Sequence, residues 1–217
     1  MMILGAMAFL VCLVAFGATA WLISQPGIPP IDTAATNLLH GNASPILDEI
    51  MVAVTGLGSS VALASVAGLV AVLLGRRRRP EAVFVVVAFI GTLVLNDRIK
   101  VVFQRPRPGF DWAAVWPETA FPSGHSMNSF VLYLAIALVI WRVLGNRPGT
   151  VALALAVILA VTIGISRVYL GAHWVTDVIG GYLAGALWLL LLVAALDGVS
   201  RLRRSRASRY RGGAIEV

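Results

Sequence analysis

Residues 150–166 read TVALALAVILAVTIGIS, a stretch without a single charge and broken only by threonine, serine and one glycine. A helix that crosses a bilayer needs about 20 predominantly apolar residues, and this run reaches that length with a few neighbours at either end. Comparable runs occupy residues 3–24, 51–75, 81–96, 125–144 and 174–196. Together they predict an all-α polytopic membrane protein of about six transmembrane helices. The composition agrees. The 217 residues are 59% hydrophobic and 12% charged, whereas soluble domains are about 45–50% apolar and about 25% charged. Mean hydropathy is +0.89. These values exclude a soluble globular domain and a disordered chain, which lacks apolar residues. No repeat or inter-domain linker interrupts the runs.

The first run raises the question of cleavage, because Ala18-Thr19-Ala20 resembles a signal-peptidase site. No Lys or Arg precedes the run, however, and it continues through Trp21-Leu22-Ile23, so it is read as a retained span. Residues 1–200 are expected to form one membrane domain. Residues 201–217 are expected to form a basic cytoplasmic tail, disordered or lying on the membrane. The single cysteine, Cys12, excludes a disulfide within the chain.

The net charge is +7. In a membrane protein this records orientation and attraction to anionic headgroups rather than nucleic acid. Twelve of the 17 basic residues fall on one side: Arg76 to Arg79, Arg142, Arg147 and six arginines after residue 200. That side is expected to be cytoplasmic, with both termini on it. A bacterial cytoplasmic membrane suits this pattern. The other five, Arg98, Lys100, Arg105, Arg107 and Arg167, lie on the side that should be poor in cations. They could snorkel to headgroups, but they sit in clusters that suggest chemistry.

Lys100 is the only lysine in the chain and is followed by Gln104-Arg105-Pro106-Arg107-Pro108. Alternating prolines hold this segment extended, and arginine forks suit phosphate. Phe121-Pro122-Ser123-Gly124-His125-Ser126 leads into the fourth run, with Ser123 as a candidate N-cap and His125 one step inside the helix. A helix N-terminus of this kind favours anions. Ser166-Arg167 and His173-Trp174-Val175-Thr176-Asp177 join the last two runs. His173 and Asp177 are four apart and share a helix face. A carboxylate beside an imidazole sets its tautomer and is expected to raise its pKa. His173 is thereby a candidate nucleophile or base, although the residues alone do not choose it over His125. The third histidine, His40, has no such company and is expected to be exposed. No cysteine cluster and no carboxylate pair is present to hold a metal. All three clusters map to one membrane face. They suggest metal-free phosphoryl transfer, with positive side chains stabilising the charge, and they call for no cofactor.

These residues resemble the three signature motifs of the type 2 phosphatidic acid phosphatase superfamily: Lys100-x6-Arg107-Pro108, Pro122-Ser123-Gly124-His125, and Ser166-Arg167-x5-His173-x3-Asp177. Order and spacing agree, and the likeness extends over about residues 30–197, including Ile31-Asp32 and the Asp48-x2-Met51-x3-Thr55 stretch. The superfamily is similar at its active site to vanadium haloperoxidases, a soluble branch that the composition disfavours. The resemblance implies that His173 attacks phosphorus to form a phosphohistidine, that Asp177 orients it and that His125 is the general acid. It implies that Lys100, Arg107, Ser123, Gly124 and Arg167 hold the phosphoryl oxygens.

The implied partner is a lipid phosphate, with no nucleic acid, acted on at the outer membrane face. Polyprenyl (undecaprenyl-type) diphosphate leads, ahead of phosphatidylglycerophosphate and phosphatidic acid. A lipid phosphotransferase, or a non-catalytic lipid-phosphate binding or transport protein, is the alternative from another class. The aromatic residues Phe110, Trp112, Trp116 and Phe121 are expected to be interfacial anchors, or else a lid.

Overall fold

The computed structural model describes the backbone of residues 2–113 and 119–212, and side chains of residues 3–113 and 119–198. Eight helices follow in order: α1 Met2–Ile23, α2 Pro30–His40, α3 Pro45–Gly56, α4 Ser60–Leu74, α5 Arg79–Phe103, α6 Gly124–Leu144, α7 Asn146–Tyr169 and α8 Val175–Gly212. Five of them (α1, α5, α6, α7 and α8) are long and apolar enough to cross a membrane. The bent pair α3–α4 makes a sixth candidate span. The chain is a multi-pass, all-helical membrane protein.

Packing explains which faces are apolar. Helix α6 is central, with α5, α7 and α8 against it, while α1 lies on α8. Leu63 and Ala67 of α4, Val85, Ala88 and Phe89 of α5, Val131, Leu132, Ala135 and Val139 of α6, and Leu189 of α8 form the buried core. The outer faces remain apolar, for example at Leu10 and Val14 of α1, Val101 and Val102 of α5, and Leu155 and Ile158 of α7. Helices apolar on every side have no solvated face and belong in lipid.

Several boundaries differ from those expected. The first connection, expected as a loop over 25–50, contains α2 and the start of α3. Pro30 and Pro45 sit at the first helical positions, where a missing N–H costs nothing, and Ser44 caps α3 through Leu47 N–H at 3.3 Å. The second span is not continuous. It bends by 47° between α3 and α4, where Gly56 and Gly58 weaken the helix and Ser59 caps the next one through Ala62 N–H at 3.3 Å. The third span runs seven residues beyond 96, to Phe103, so Asp97 and Lys100 are helical. It ends at Gln104, a non-glycine residue at φ 43° whose N–H caps Lys100 C=O. At the other end of the chain, the backbone of α8 continues as helix through the basic segment to Gly212.

The glycine pair in α8 carries a packing requirement. A Cβ on Gly180 would come within 2.2 Å of the Phe121 ring, and one on Gly181 within 2.9 Å of the Ser123 carbonyl oxygen. This close approach presses the start of α8 onto the start of α6. Gly181→Ala meets backbone, which cannot rotate away as a side chain would. It is expected to destabilise by about 1–3 kcal/mol, seen as a lower melting temperature in detergent. An unchanged melting temperature would show that the two helix starts have slack.

Candidate active site

Four helix ends converge at one end of the bundle: the C-termini of α5 and α7 and the N-termini of α6 and α8. Arg79, Arg142 and Arg147 lie at the opposite ends of α5, α6 and α7. The convergent ends enclose a cavity of about 240 Å³ whose lining includes Lys100, Arg107, Gly124, His125, Arg167 and His173. Three segments scattered over the chain thus meet around one space.

The Arg-Pro-Arg-Pro segment follows the turn at Gln104 with its backbone held extended. Both arginines turn inward but to different partners: Arg107 lines the cavity beside His173, and Arg105 is buried against Asp177. Arg107 donates from Nη1 to the Ala172 carbonyl at 2.6 Å and lies 3.0 Å from His173 Nε2. Arg105 donates from the same type of nitrogen to Asp177 Oδ1 at 2.5 Å. A guanidinium nitrogen can only donate. His173 Nε2 must therefore be the lone-pair nitrogen, and the ring proton sits on Nδ1, 3.5 Å from Asp177 Oδ2. That separation is at the outer limit of a hydrogen bond, so Asp177 acts on His173 by charge and orientation more than by a tight bond.

Burial is the largest influence on His173, and the charges of Arg107, Arg167 and Lys100 add to it; together they push its pKa well below the ordinary histidine value. The expected rise caused by Asp177 is thus outweighed. A desolvated imidazole facing three cations resists a fourth positive charge.

Ser123 caps α6. Its hydroxyl oxygen accepts from Ser126 N–H and from the Ser126 hydroxyl, the latter at 3.0 Å, while its own N–H donates to the Asp177 carbonyl at 3.0 Å. It is buried behind the first turn, and it is Gly124 and His125 that line the cavity. The first N–H groups of α6 have no acceptor within their own helix, so they aim the positive end of its dipole at the space. Gly58, at the α3–α4 bend, packs against His125: an added Cβ would lie 3.2 Å from its Cδ2.

Arg167 ends α7, is buried, and donates from Nη1 to Thr55 Oγ1 at 3.0 Å. The chain then turns at Gly171, φ +61°, and the Arg167 carbonyl accepts from the N–H groups of Ala172 and His173. Trp174 N–H donates to Asp177 Oδ2 at 2.9 Å. Asp177, fully buried, thereby touches all three segments.

Sequence reasoning missed several polar residues here. Asn96 and Asn128 line the cavity, and Thr92 donates to Asn128 Oδ1 at 3.2 Å. Polar side chains inside apolar runs are costly and mark function, which was the available signal. Arg105, which the sequence groups with Arg107 as a phosphate-gripping fork, instead binds the carboxylates of Asp177 and Asp32. Asp48, in the α3 stretch, accepts from Tyr169 Oη at 2.6 Å. His40 is not simply exposed: its ring stacks on Trp112 at 3.5 Å and lies 5.7 Å from Tyr169. Phe110 also stacks on Trp112, at 4.8 Å. Phe121 is wholly buried, against Phe103, and is no interfacial anchor. Trp116 lies outside the described residues.

Comparison with known proteins follows the same outline. Residues 81–200 match the model of the PAP2 superfamily. The chain is 33% identical over 163 residues to phosphatidylglycerophosphatase B of Bacillus subtilis, covering 74% of this chain and 80% of that protein. It is 26% identical over 178 residues to an undecaprenyl-diphosphatase of Sulfolobus acidocaldarius, covering 77% and 79%. The crystal structure of a transmembrane PAP2-type phosphatidylglycerolphosphate phosphatase from Bacillus subtilis superposes with a TM-score of 0.79 at 28% identity, over 88% of this chain and 96% of that one. The chain belongs to the PAP2 superfamily.

Proposed function

We propose that this PAP2-superfamily enzyme hydrolyses a membrane lipid phosphate or diphosphate through a phosphohistidine on His173. The observation that carries this reading is the orientation of His173: its lone-pair nitrogen, Nε2, is on the Arg107 side and its Nδ1 is on the Asp177 side. Arg107 Nη1 lies 3.0 Å from that lone pair. A phosphoryl group takes that donor for its own oxygens and leaves Nε2 free to attack. The Nε2–P bond forms as the P–O bond to the lipid breaks, and His125 delivers a proton to the departing oxygen. Lys100, Arg107, Arg167 and the start of α6 hold the three phosphoryl oxygens. The cationic lining does the work a divalent ion does elsewhere and would repel one. Water activated by His125 then attacks phosphorus, the N–P bond breaks, and inorganic phosphate leaves.

On this reading the arginine-rich end of the bundle faces the cytoplasm and the cavity opens to the outer leaflet of a cell membrane. Polyprenyl diphosphate, the leading substrate, fits recycling of a lipid carrier on that face. Phosphatidylglycerophosphate is the second, favoured by the name and coverage of the Bacillus subtilis relative. The test is phosphate release by purified protein in excess EDTA from both lipids, phosphatidic acid and a soluble ester. Release from a lipid is expected, and the ranking of rates selects the substrate. Release from none of them would overturn the hydrolase reading in favour of a phosphotransferase or a binding protein.

The pH dependence follows from the depressed pKa of His173. Below pH 6.5 an ordinary histidine gains a proton, but His173 stays neutral and nucleophilic. The acid limb of kcat/KM, corrected for substrate ionisation, is therefore expected below pH 6.5. An acid limb at or above that value would show that the cations do not act on His173 in the free enzyme.

A further inference from the structure

Behind His173 lies a set of buried charges that no signature motif contains. Arg105 and Asp32 are both buried, Asp32 completely, and they come from segments far apart in the chain. Arg105 Nη2 donates to Asp32 Oδ2 at 2.6 Å, and its Nη1 donates to Asp177 Oδ1 at 2.5 Å and to Thr176 Oγ1 at 2.7 Å. Asp32 also accepts from Thr176 N–H at 2.9 Å and from the Thr176 hydroxyl. The Trp174 ring lies 5.9 Å from the Arg105 guanidinium. Asp32 sits in the first turn of α2, where the helix dipole favours a carboxylate.

Two consequences follow from this wiring. The first is geometric. Arg105 holds Asp177 Oδ1, so it is Oδ2 that meets His173 Nδ1. The second is electrostatic. Asp177 must favour the cation that develops on His173 when Nε2 bonds to phosphorus. Yet a lone Arg105 would cancel its charge. Asp32 supplies the second carboxylate: two carboxylates and one guanidinium leave one net negative charge beside the imidazole.

We propose that Asp32 and Arg105 are a positioning pair for the phosphoryl-transfer step, with Arg105 orienting Asp177 and Asp32 restoring the negative charge that Arg105 would otherwise neutralise. The inference rests on the phosphohistidine reading above. The charged and titratable groups facing Asp177 are Arg105 and Arg107 from the segment after α5, Asp32 from α2, and His173 beside it in the turn before α8.

The test compares Asp32→Asn with the double variant Asp32→Asn/Arg105→Gln. The single variant leaves Arg105 cancelling Asp177. Its kcat is expected to fall on the order of 10- to 100-fold, the usual size for outer partners of a reacting group, with KM within about two-fold. Its acid limb is expected to move to lower pH, because His173 loses a neighbouring negative charge. The double variant removes one charge of each sign and returns the net negative charge to Asp177. It is expected to return the acid limb towards the wild-type position and to regain part of the lost kcat, the remaining deficit reporting the orientation of Asp177 that Arg105 supplied. A merely structural pair predicts the reverse, a double variant no better than the single one, and that result overturns the proposal. So does an unchanged kcat in Asp32→Asn. If Asp32→Asn does not fold, the double variant is compared with wild type. A kcat within about ten-fold supports the proposal, and one as low as that of His173→Ala overturns it. Wild-type enzyme denatured in alkaline detergent, which preserves the acid-labile N–P bond, is assayed in parallel for phosphate bound to His173. Its absence overturns the phosphohistidine reading itself, whereas its presence with unaltered Asp32→Asn kinetics overturns only the role of Asp32.

Discussion

His173→Ala is expected to reduce phosphate release to less than a few per cent of wild type, and in the chemical step by about 10⁴- to 10⁶-fold, as for other nucleophile deletions. The ring is buried, and its polar neighbours are Arg107 at Nε2, the more distant Asp177 at Nδ1 and the Ala120 backbone. Arg107 keeps the Ala172 carbonyl as an acceptor, and Asp177 keeps Arg105 and Trp174 N–H. Truncation therefore opens a small space without stranding a buried charge, and the variant is expected to fold. The measurements are turnover, melting temperature and trapping of labelled phosphoenzyme in the same preparation. Full folding with no turnover and no trapped phosphate is the expected triple result. More than a few per cent of activity in a folded variant would transfer the nucleophile's role elsewhere, with His125 the next candidate.

Arg167→Lys carries the second large effect. One arm of the Arg167 fork is tied to Thr55 Oγ1 at 3.0 Å, while the residue also lines the cavity. A planar guanidinium can serve an anchor and a phosphoryl oxygen together; an ammonium on a flexible stem cannot hold the same geometry at both. Loss of one preorganised donor to a developing oxyanion costs about 2.7–4 kcal/mol, or about 10²–10³ in kcat. That drop is expected in Arg167→Lys even though the charge is conserved. Thr55→Val, which removes only the anchor, is expected to cost less and chiefly in kcat. An unchanged kcat/KM in Arg167→Lys would show that the arginine does not grip the phosphoryl group.

The His173 and Arg167 predictions start from residues that local spacing exposes. Lys100 and Arg107, the Ser123-Gly124-His125 helix start, and His173 with Asp177 each stand within eight residues of their partners. Chemistry at short range is visible in a string of residues, as are the unbroken apolar runs that make lipid-facing helices. That is why the membrane class, the number of spans and the clustering of cationic and histidine side chains are legible without coordinates. The α3–α4 bend was harder, because a glycine in a span is compatible both with a kink and with close packing. In the structure both hold: the span bends by 47° there, and a Cβ on Gly58 would lie 2.6 Å from Ile163 and 3.2 Å from His125.

What the chain's order of residues determined by itself is therefore the solvent it folds in and the chemistry it can gather at one membrane face. Local composition decides helix formation and burial in lipid, and short-range spacing decides which groups share a turn. Only the tertiary structure decided which arginine serves which purpose. Arg105 and Arg107 are two residues apart and chemically identical, yet one faces the cavity and the other joins Asp177 to Asp32, 73 residues away in sequence. The partners of Thr55 and Asp48, 112 and 121 residues away, were equally hidden. Buried charges must find counter-charges wherever the packed helices place them. That pairing is a property of helix packing, which no local pattern encodes.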